Sequence, residues 1–82
     1  MKTIHKLKIL PEYFNAVKNG DKRFEFRYND RNYHVGDILR LQEWDGQNYT
    51  GQEIDVSILY ILHEWQGMKP GWCVMSIKKE TT

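Results

Sequence analysis

The stretch GDKRFEFRYNDR, residues 20–31, decides the fold because it contains a helix stop, a strand and a turn in succession. Gly20 supplies the stop, since glycine readily adopts the left-handed conformation that ends many helices. Aromatic residues at every second position from Phe24 to Tyr28 predict a β-strand over residues 22–28, with an aromatic core face and a charged opposite face. The Asn29-Asp30 pair then predicts a turn.

The rest of the chain adds one helix and several short strands. Alternation over residues 4–9 predicts a first strand, and Pro11 begins a helix that extends to residue 19 and docks through Tyr13, Phe14 and Val17. Further strands are predicted over residues 38–44, 54–62 and 72–77, the second with Val56, Ile58, Tyr60 and Leu62 on one face. Five or six strands with one N-terminal helix predict an α+β, mostly β fold, a small antiparallel β-barrel formed by residues 1–82 as a single domain.

Composition narrows the class of protein. The net charge is only +1, but residues 1–40 carry nine Lys or Arg against five acids, whereas residues 41–68 carry five acids and no Lys or Arg. A basic face beside an acidic one favours a small anionic ligand or a single strand over a long duplex. The chain has one cysteine, Cys73, which excludes an intrachain disulfide and suits the cytoplasm. We expect neither a signal peptide nor a membrane span.

Residues 20–31 also hold the main candidate site, with four basic and three acidic side chains. Lys22 offers a point charge at the junction of helix and strand, and Arg27 offers a planar fork suited to phosphate or a base edge. Glu25 lies on the same strand face as Arg27 and would orient it or accept from an exocyclic amine. Asp30 and Arg31 extend the candidate ligand-binding set into the turn. The alternative is a solvated face of weak ion pairs.

Two further candidates lie outside this segment. His5 shares a strand face with Leu7 and is predicted to be buried or to line a cleft. Tyr49 flanks the loop at residues 45–51, where it could stack on a base, although aromatic residues in so small a chain also serve the core. The spacing of the three histidines matches no zinc pattern, and no catalytic residue, metal or cofactor is predicted.

Strand parity makes the candidate site a geometric hypothesis. Lys22 shares parity with Phe24, whereas Glu25 and Arg27 occupy the other face of the predicted strand. The three charged groups can converge only if the chain twists or bulges near Arg23.

A wider pattern resembles a known family. Gly20, Lys22, Glu25 and Arg27 form Gly-x-Lys-x-x-Glu-x-Arg, which is followed by VGDIL at residues 35–39. Together these segments resemble an ASCH-type protein of the PUA-like superfamily, from a small bacterial and phage family of unknown function. The resemblance implies a PUA-like β-barrel with a helix near one opening and a cleft that binds RNA or a nucleotide-like ligand, lined by Lys22, Glu25 and Arg27.

Three functions follow from this resemblance and from the residues. The favoured one is an RNA- or nucleotide-binding module with a basic cleft between the N-terminal helix and the barrel. The alternative is a protein-interaction module of phage or mobile-element origin. The third is a small amidohydrolase acting on a modified nucleoside, as in one branch of the superfamily, but Glu25 stands where that branch has a threonine.

Overall fold

The computed structural model describes residues 2–63 and 66–80. Within them the order of elements confirms one N-terminal helix in a mostly β protein, and no helix is long and apolar enough to cross a membrane. Several bounds differ from the predicted ones, since the helix ends before Asn19, the second strand begins after Lys22, and the fourth and fifth strands are longer. The elements are β1 (Ile4–Ile9), α1 (Pro11–Lys18), β2 (Phe24–Tyr28), β3 (Ile38–Trp44), β4 (Tyr49–His63) and β5 (Trp72–Lys79).

The strands form one curled sheet in the order β1-β3-β4-β5-β2. The prediction of an antiparallel barrel was wrong for one pair, because β1 runs parallel to β3, with Leu7 opposite Leu41. Parallel neighbours need a long crossover, and the chain provides one through α1 and β2 before it reaches β3. The other neighbouring pairs are antiparallel, and β4 lies in the middle of the sheet.

The edge strands β1 and β2 approach each other through side chains. Arg27 Nη2 donates to the backbone oxygen of Lys8 at 2.9 Å, and Arg31 Nη1 donates to the backbone oxygen of Lys6 at 3.0 Å. Arginine side chains on the β2 side therefore satisfy carbonyl groups of the β1 edge that a strand ladder would otherwise use. The sheet is a half-barrel with a seam between β1 and β2.

The core fills the concave side of this sheet beneath α1. Phe14 and Val17 of the helix are buried, but Tyr13 is 46% exposed, so the prediction that it docks the helix was wrong. Complete burial of a side chain such as Phe14 or Val17 contributes about 1.5–3 kcal/mol to the free energy of folding. The other core members come from the strands and the β2–β3 connection: Leu7, Ile9, Tyr33, Leu39, Leu41, Val56, Ile58, Cys73, Met75 and Ile77.

The predicted aromatic core face of β2 is the exposed face. Phe26 is 49% exposed, as are Phe24 and Tyr28 to a similar extent, whereas Glu25 is only 2% exposed. The cause is the register with β5, since Glu25 pairs with Met75 and Arg27 pairs with Cys73, both fully buried. Side chains opposite one another share a face, so the interior parity of β5 turns the charged residues of β2 inward.

A register shift also divides β4. Val56, Ile58, Tyr60 and Leu62 were predicted to share one face, but Val56 and Ile58 are buried whereas Tyr60 is 58% exposed and Leu62 38%. The pairing with β5 shifts between Ile58 and Tyr60, which reverses the parity of the strand. Ile61, which simple alternation places on the face opposite Val56, therefore packs against the same core as Val56.

Candidate nucleotide-binding cleft

A cleft of about 660 Å³ opens at the seam between β1 and β2. Its walls come from the end of β1, the start of α1 and the length of β2, and its lining includes four basic residues and two acidic ones. Five of the seven predicted site residues contribute to this lining, namely Lys22, Glu25, Arg27, Asp30 and Arg31. A volume of this size is within the range of small-ligand sites, about 300–1,000 Å³.

Lys22, Glu25 and Arg27 meet on the inner wall of the cleft. Lys22 Nζ donates to Glu25 Oε1, and Arg27 Nε donates to Glu25 Oε2 at 2.7 Å. The Glu25 side chain is 3% exposed, against 16% for Lys22 and 26% for Arg27. The deeply buried carboxylate of Glu25 thus holds two cations that remain accessible from the cleft.

This convergence depends on where β2 begins. The backbone N–H of Lys22 donates to the carbonyl of Ala16 at 3.0 Å, which ties Lys22 to the last turn of α1. The ladder of β2 starts two residues later, at Phe24, so strand parity does not apply to Lys22. Strand alternation allowed Lys22, Glu25 and Arg27 to converge only if the chain departed from a regular strand near Arg23. The start of β2 at Phe24 provides this departure.

The two cations keep donors for a ligand. The described bonds use two of the five N–H donors of Arg27, one to Glu25 and one to the carbonyl of Lys8. Lys22 uses two of its three, one to Glu25 and one to the carbonyl of Phe24 at 2.8 Å. The cleft can therefore offer charged hydrogen-bond donors to phosphate or carboxylate while Glu25 holds their positions.

Aromatic rings also line the cleft, and those of β2 lie on the strand face opposite Glu25 and Arg27. Phe26 stacks on Trp72 with centroids 5.0 Å apart and planes at 30°, and Tyr28 meets the same indole edge-on at 5.9 Å. On the helix side, the Tyr13 ring lies 5.9 Å from Lys22 Nζ. Tyr13 and Phe26 were not predicted to be site residues, because both were predicted to pack in the core. The sequence signal that could have placed them near the site is their position, with Tyr13 near the start of the helix and Phe26 between charged residues on an edge strand.

Asp30 and Arg31 lie at the rim of the cleft and form a weak pair. Arg31 Nε is 3.7 Å from Asp30 Oδ1, and their side chains are 44% and 59% exposed respectively. Arg31 also bridges the seam to Lys6. Its exposure leaves it able to turn toward an anion in the cleft.

His5 is buried away from the cleft lining, so the structure does not bring it to the site. Its Nε2 is 2.9 Å from Asp37 Oδ2, and its ring meets Tyr33 edge-on at 5.0 Å. Burial raises the pKa of Asp37, but the hydrogen bonds from His5 and from the backbone N–H groups of Thr3 and His34 outweigh it and hold the pKa below its ordinary value. This pair fastens β1 to the turn before β3.

Tyr49 is also outside the cleft, on the other side of β1. It is 52% exposed and meets Trp44 edge-on at 5.0 Å. It borders a separate depression of about 340 Å³ together with Lys6 and Gln42.

Metal and thiol chemistry find little support among residues 2–63 and 66–80. No group of three or more His, Cys, Asp or Glu side chains there could hold a metal ion. Cys73 is buried, and desolvation raises the pKa of its thiol, which lowers its nucleophilic character.

Comparison with known sequences assigns the chain to a family. Residues 4–77, which include the whole cleft, match the family described as "Domain of unknown function (DUF3850)", and the chain belongs to it. One relative is the "Uncharacterized 12.9 kDa protein in GpA 3'region" of Escherichia phage P2, 42% identical over 67 residues. The matched part is 79% of this chain and 62% of the phage protein, so this chain spans less than two thirds of that relative.

Proposed function

We propose that this domain is a PUA-like module that binds RNA or a nucleotide-like ligand in the seam cleft. The observation that carries the proposal is the buried Glu25 bonded to both Lys22 and Arg27, in a cleft that these three residues line together with aromatic side chains. Preorganised cations bind a phosphate with little reorganisation, and aromatic rings stack on a base. Glu25 keeps unused lone pairs that could accept from an exocyclic amine.

The proposal is tested by titrating mononucleotides and short RNA oligonucleotides at low salt, monitored by tryptophan fluorescence and calorimetry. Lys22→Met and Arg27→Met are made separately, so that Glu25 keeps one cation in each. A hydrogen bond to a charged group contributes about 1.5–3 kcal/mol, so each variant should weaken binding about 10- to 150-fold.

Arg40→Met is the matched control. Arg40 makes an equivalent arginine–carboxylate contact, with Nε 2.9 Å from Asp55 Oδ1, but on β3 outside the cleft. It should leave the dissociation constant within about twofold. Absence of binding to any nucleotide or oligonucleotide, or equal losses in all three variants, would contradict the proposal.

A protein-interaction module is the second candidate, favoured by the exposed rings on β2. Phe26, Tyr28 and Trp72 form a contiguous aromatic cluster, and large exposed apolar patches mark interaction sites. Crosslinking and gel filtration with host extract distinguish the two candidates. A protein complex that survives Lys22→Met but is lost in Phe26→Ser supports the second.

Hydrolysis is less well supported by the geometry. Both oxygens of Glu25 accept hydrogen bonds from cations, and the Lys22 amine donates to two acceptors. A general base or nucleophile must reach the substrate, and these groups would first have to leave their partners.

A further inference from the structure

Trp44, Tyr49 and Lys8 form a second cationic and aromatic cluster beside the cleft. Lys8 Nζ lies 4.0 Å from the centroid of the Trp44 ring and 5.8 Å from that of Tyr49. Because the ammonium covers a face of Trp44, Tyr49 is the more open ring of the pair. Half of its surface is accessible to solvent.

Lys8 links this cluster to the cleft. Its carbonyl oxygen accepts the hydrogen bond from Arg27 Nη2, and its side chain reaches the aromatic pair. The two sites are therefore separated by the length of one lysine side chain. Lys6, on the same outward face of β1, adds a second exposed cation along this path.

The nearby acids have cationic or polar partners of their own. Glu53 accepts from Gln42 at 3.2 Å and lies 3.8 Å from Arg40 Nε. Glu43 is 6% exposed and accepts from the Thr50 hydroxyl at 2.7 Å. The path along β1 from the cleft to Tyr49 therefore carries two exposed cations, Lys6 and Lys8, and the acids flank it on β3, on the turn at Asp45 and on β4.

We propose that the ligand is a single-stranded nucleic acid of at least two nucleotides, an inference that rests on the proposed function of the cleft. One nucleotide occupies the cleft, the phosphate that follows it contacts Lys8, and the adjacent base stacks on Tyr49. Single-strand binding surfaces combine a basic track with aromatic platforms in this way. A free mononucleotide would use the cleft alone.

The test compares Tyr49→Ala with Tyr60→Ala, a half-exposed tyrosine on β4 that borders neither the cleft nor the Tyr49 depression. The probes are fluorescein-labelled RNA and DNA tetranucleotides of mixed sequence and the four ribonucleoside monophosphates. Tyr49→Ala should weaken tetranucleotide binding about 5- to 150-fold and leave monophosphate binding unchanged. Because Lys8 also lines the cleft, Lys8→Gln should weaken tetranucleotide binding more than monophosphate binding and reduce the salt dependence of tetranucleotide binding. Tyr60→Ala should change nothing.

Each outcome bears on the inference. Tetranucleotide affinity unchanged in both Tyr49→Ala and Lys8→Gln overturns it and leaves the proposed cleft function standing. Equal loss of monophosphate and tetranucleotide binding also overturns it, because Tyr49 would then act through the cleft or the fold. If no probe binds the unaltered protein, the proposed function falls and the inference with it. Tighter binding of one of the two tetranucleotides shows whether the surface recognises single-stranded RNA or single-stranded DNA.

Discussion

Replacing Glu25 with Gln should destabilise the fold by about 2–4 kcal/mol. The Glu25 side chain is 3% exposed and holds two cations, and loss of one partner from a fully buried pair costs about 3–5 kcal/mol. Here the loss is smaller, because Lys22 and Arg27 line the cleft and can regain water. A glutamine of equal size keeps one acceptor, but its amide would face a cation as a donor.

The expected loss is a large fraction of the total stability, which for 82 residues is roughly 4–12 kcal/mol. Urea denaturation followed by far-ultraviolet circular dichroism measures it directly. In a thermal melt the same loss corresponds to about 8–32 °C, at about 4–8 °C per kcal/mol.

Glu53→Gln is the matched control for Glu25→Gln. The Glu53 side chain is 48% exposed and lies 3.8 Å from Arg40, a surface pair that contributes about 0–1 kcal/mol. If the two substitutions have equal effects, or if Glu25→Gln changes the unfolding free energy by less than about 0.5 kcal/mol, the buried network does not organise the cleft.

Two further predictions concern the frame around the cleft. The folded-state pKa of Asp37 is depressed, so its contribution is complete above the ordinary value of 3.8 and is lost as pH falls through the folded value. The urea midpoint should therefore fall steeply in acid, and Asp37→Asn should flatten that dependence; an unchanged slope would contradict this. Gly71→Ala should cost more stability than Gly46→Ala, although both glycines have positive φ. A Cβ added at Gly71 would lie 2.6 Å from the Tyr28 ring, whereas a Cβ added at Gly46 would meet no atom within 4 Å. Equal urea midpoints for the two variants would refute that packing argument.

Local sequence signals predicted the order of elements and the charged residues of the cleft. Pro11 and Gly20 bracket the helix, and the Asp45–Asn48 turn connects β3 to β4. The grouping of Lys22, Glu25 and Arg27 was predicted with a condition, and the bond from Lys22 N–H to Ala16 supplies the break it required.

The errors came from pairings between distant strands. Which face of β2 is interior depends on Met75 and Cys73 across the sheet, and alternation within β2 cannot reveal it. Placement of Tyr49 depends likewise on pairing, because β1 stands between it and the cleft. A contact made some tens of residues away leaves no mark on local periodicity.

Chemical-shift mapping of the ¹⁵N-labelled protein with a mononucleotide tests the central claim most directly. The account predicts the largest changes in the backbone amides of residues 22–28 and in the Nε–H signal of Arg27, with little change in the Nε–H signal of Arg40. Saturable changes confined to residues 52–58 of β4, or no change at millimolar nucleotide and low salt, would contradict a ligand-binding seam between β1 and β2.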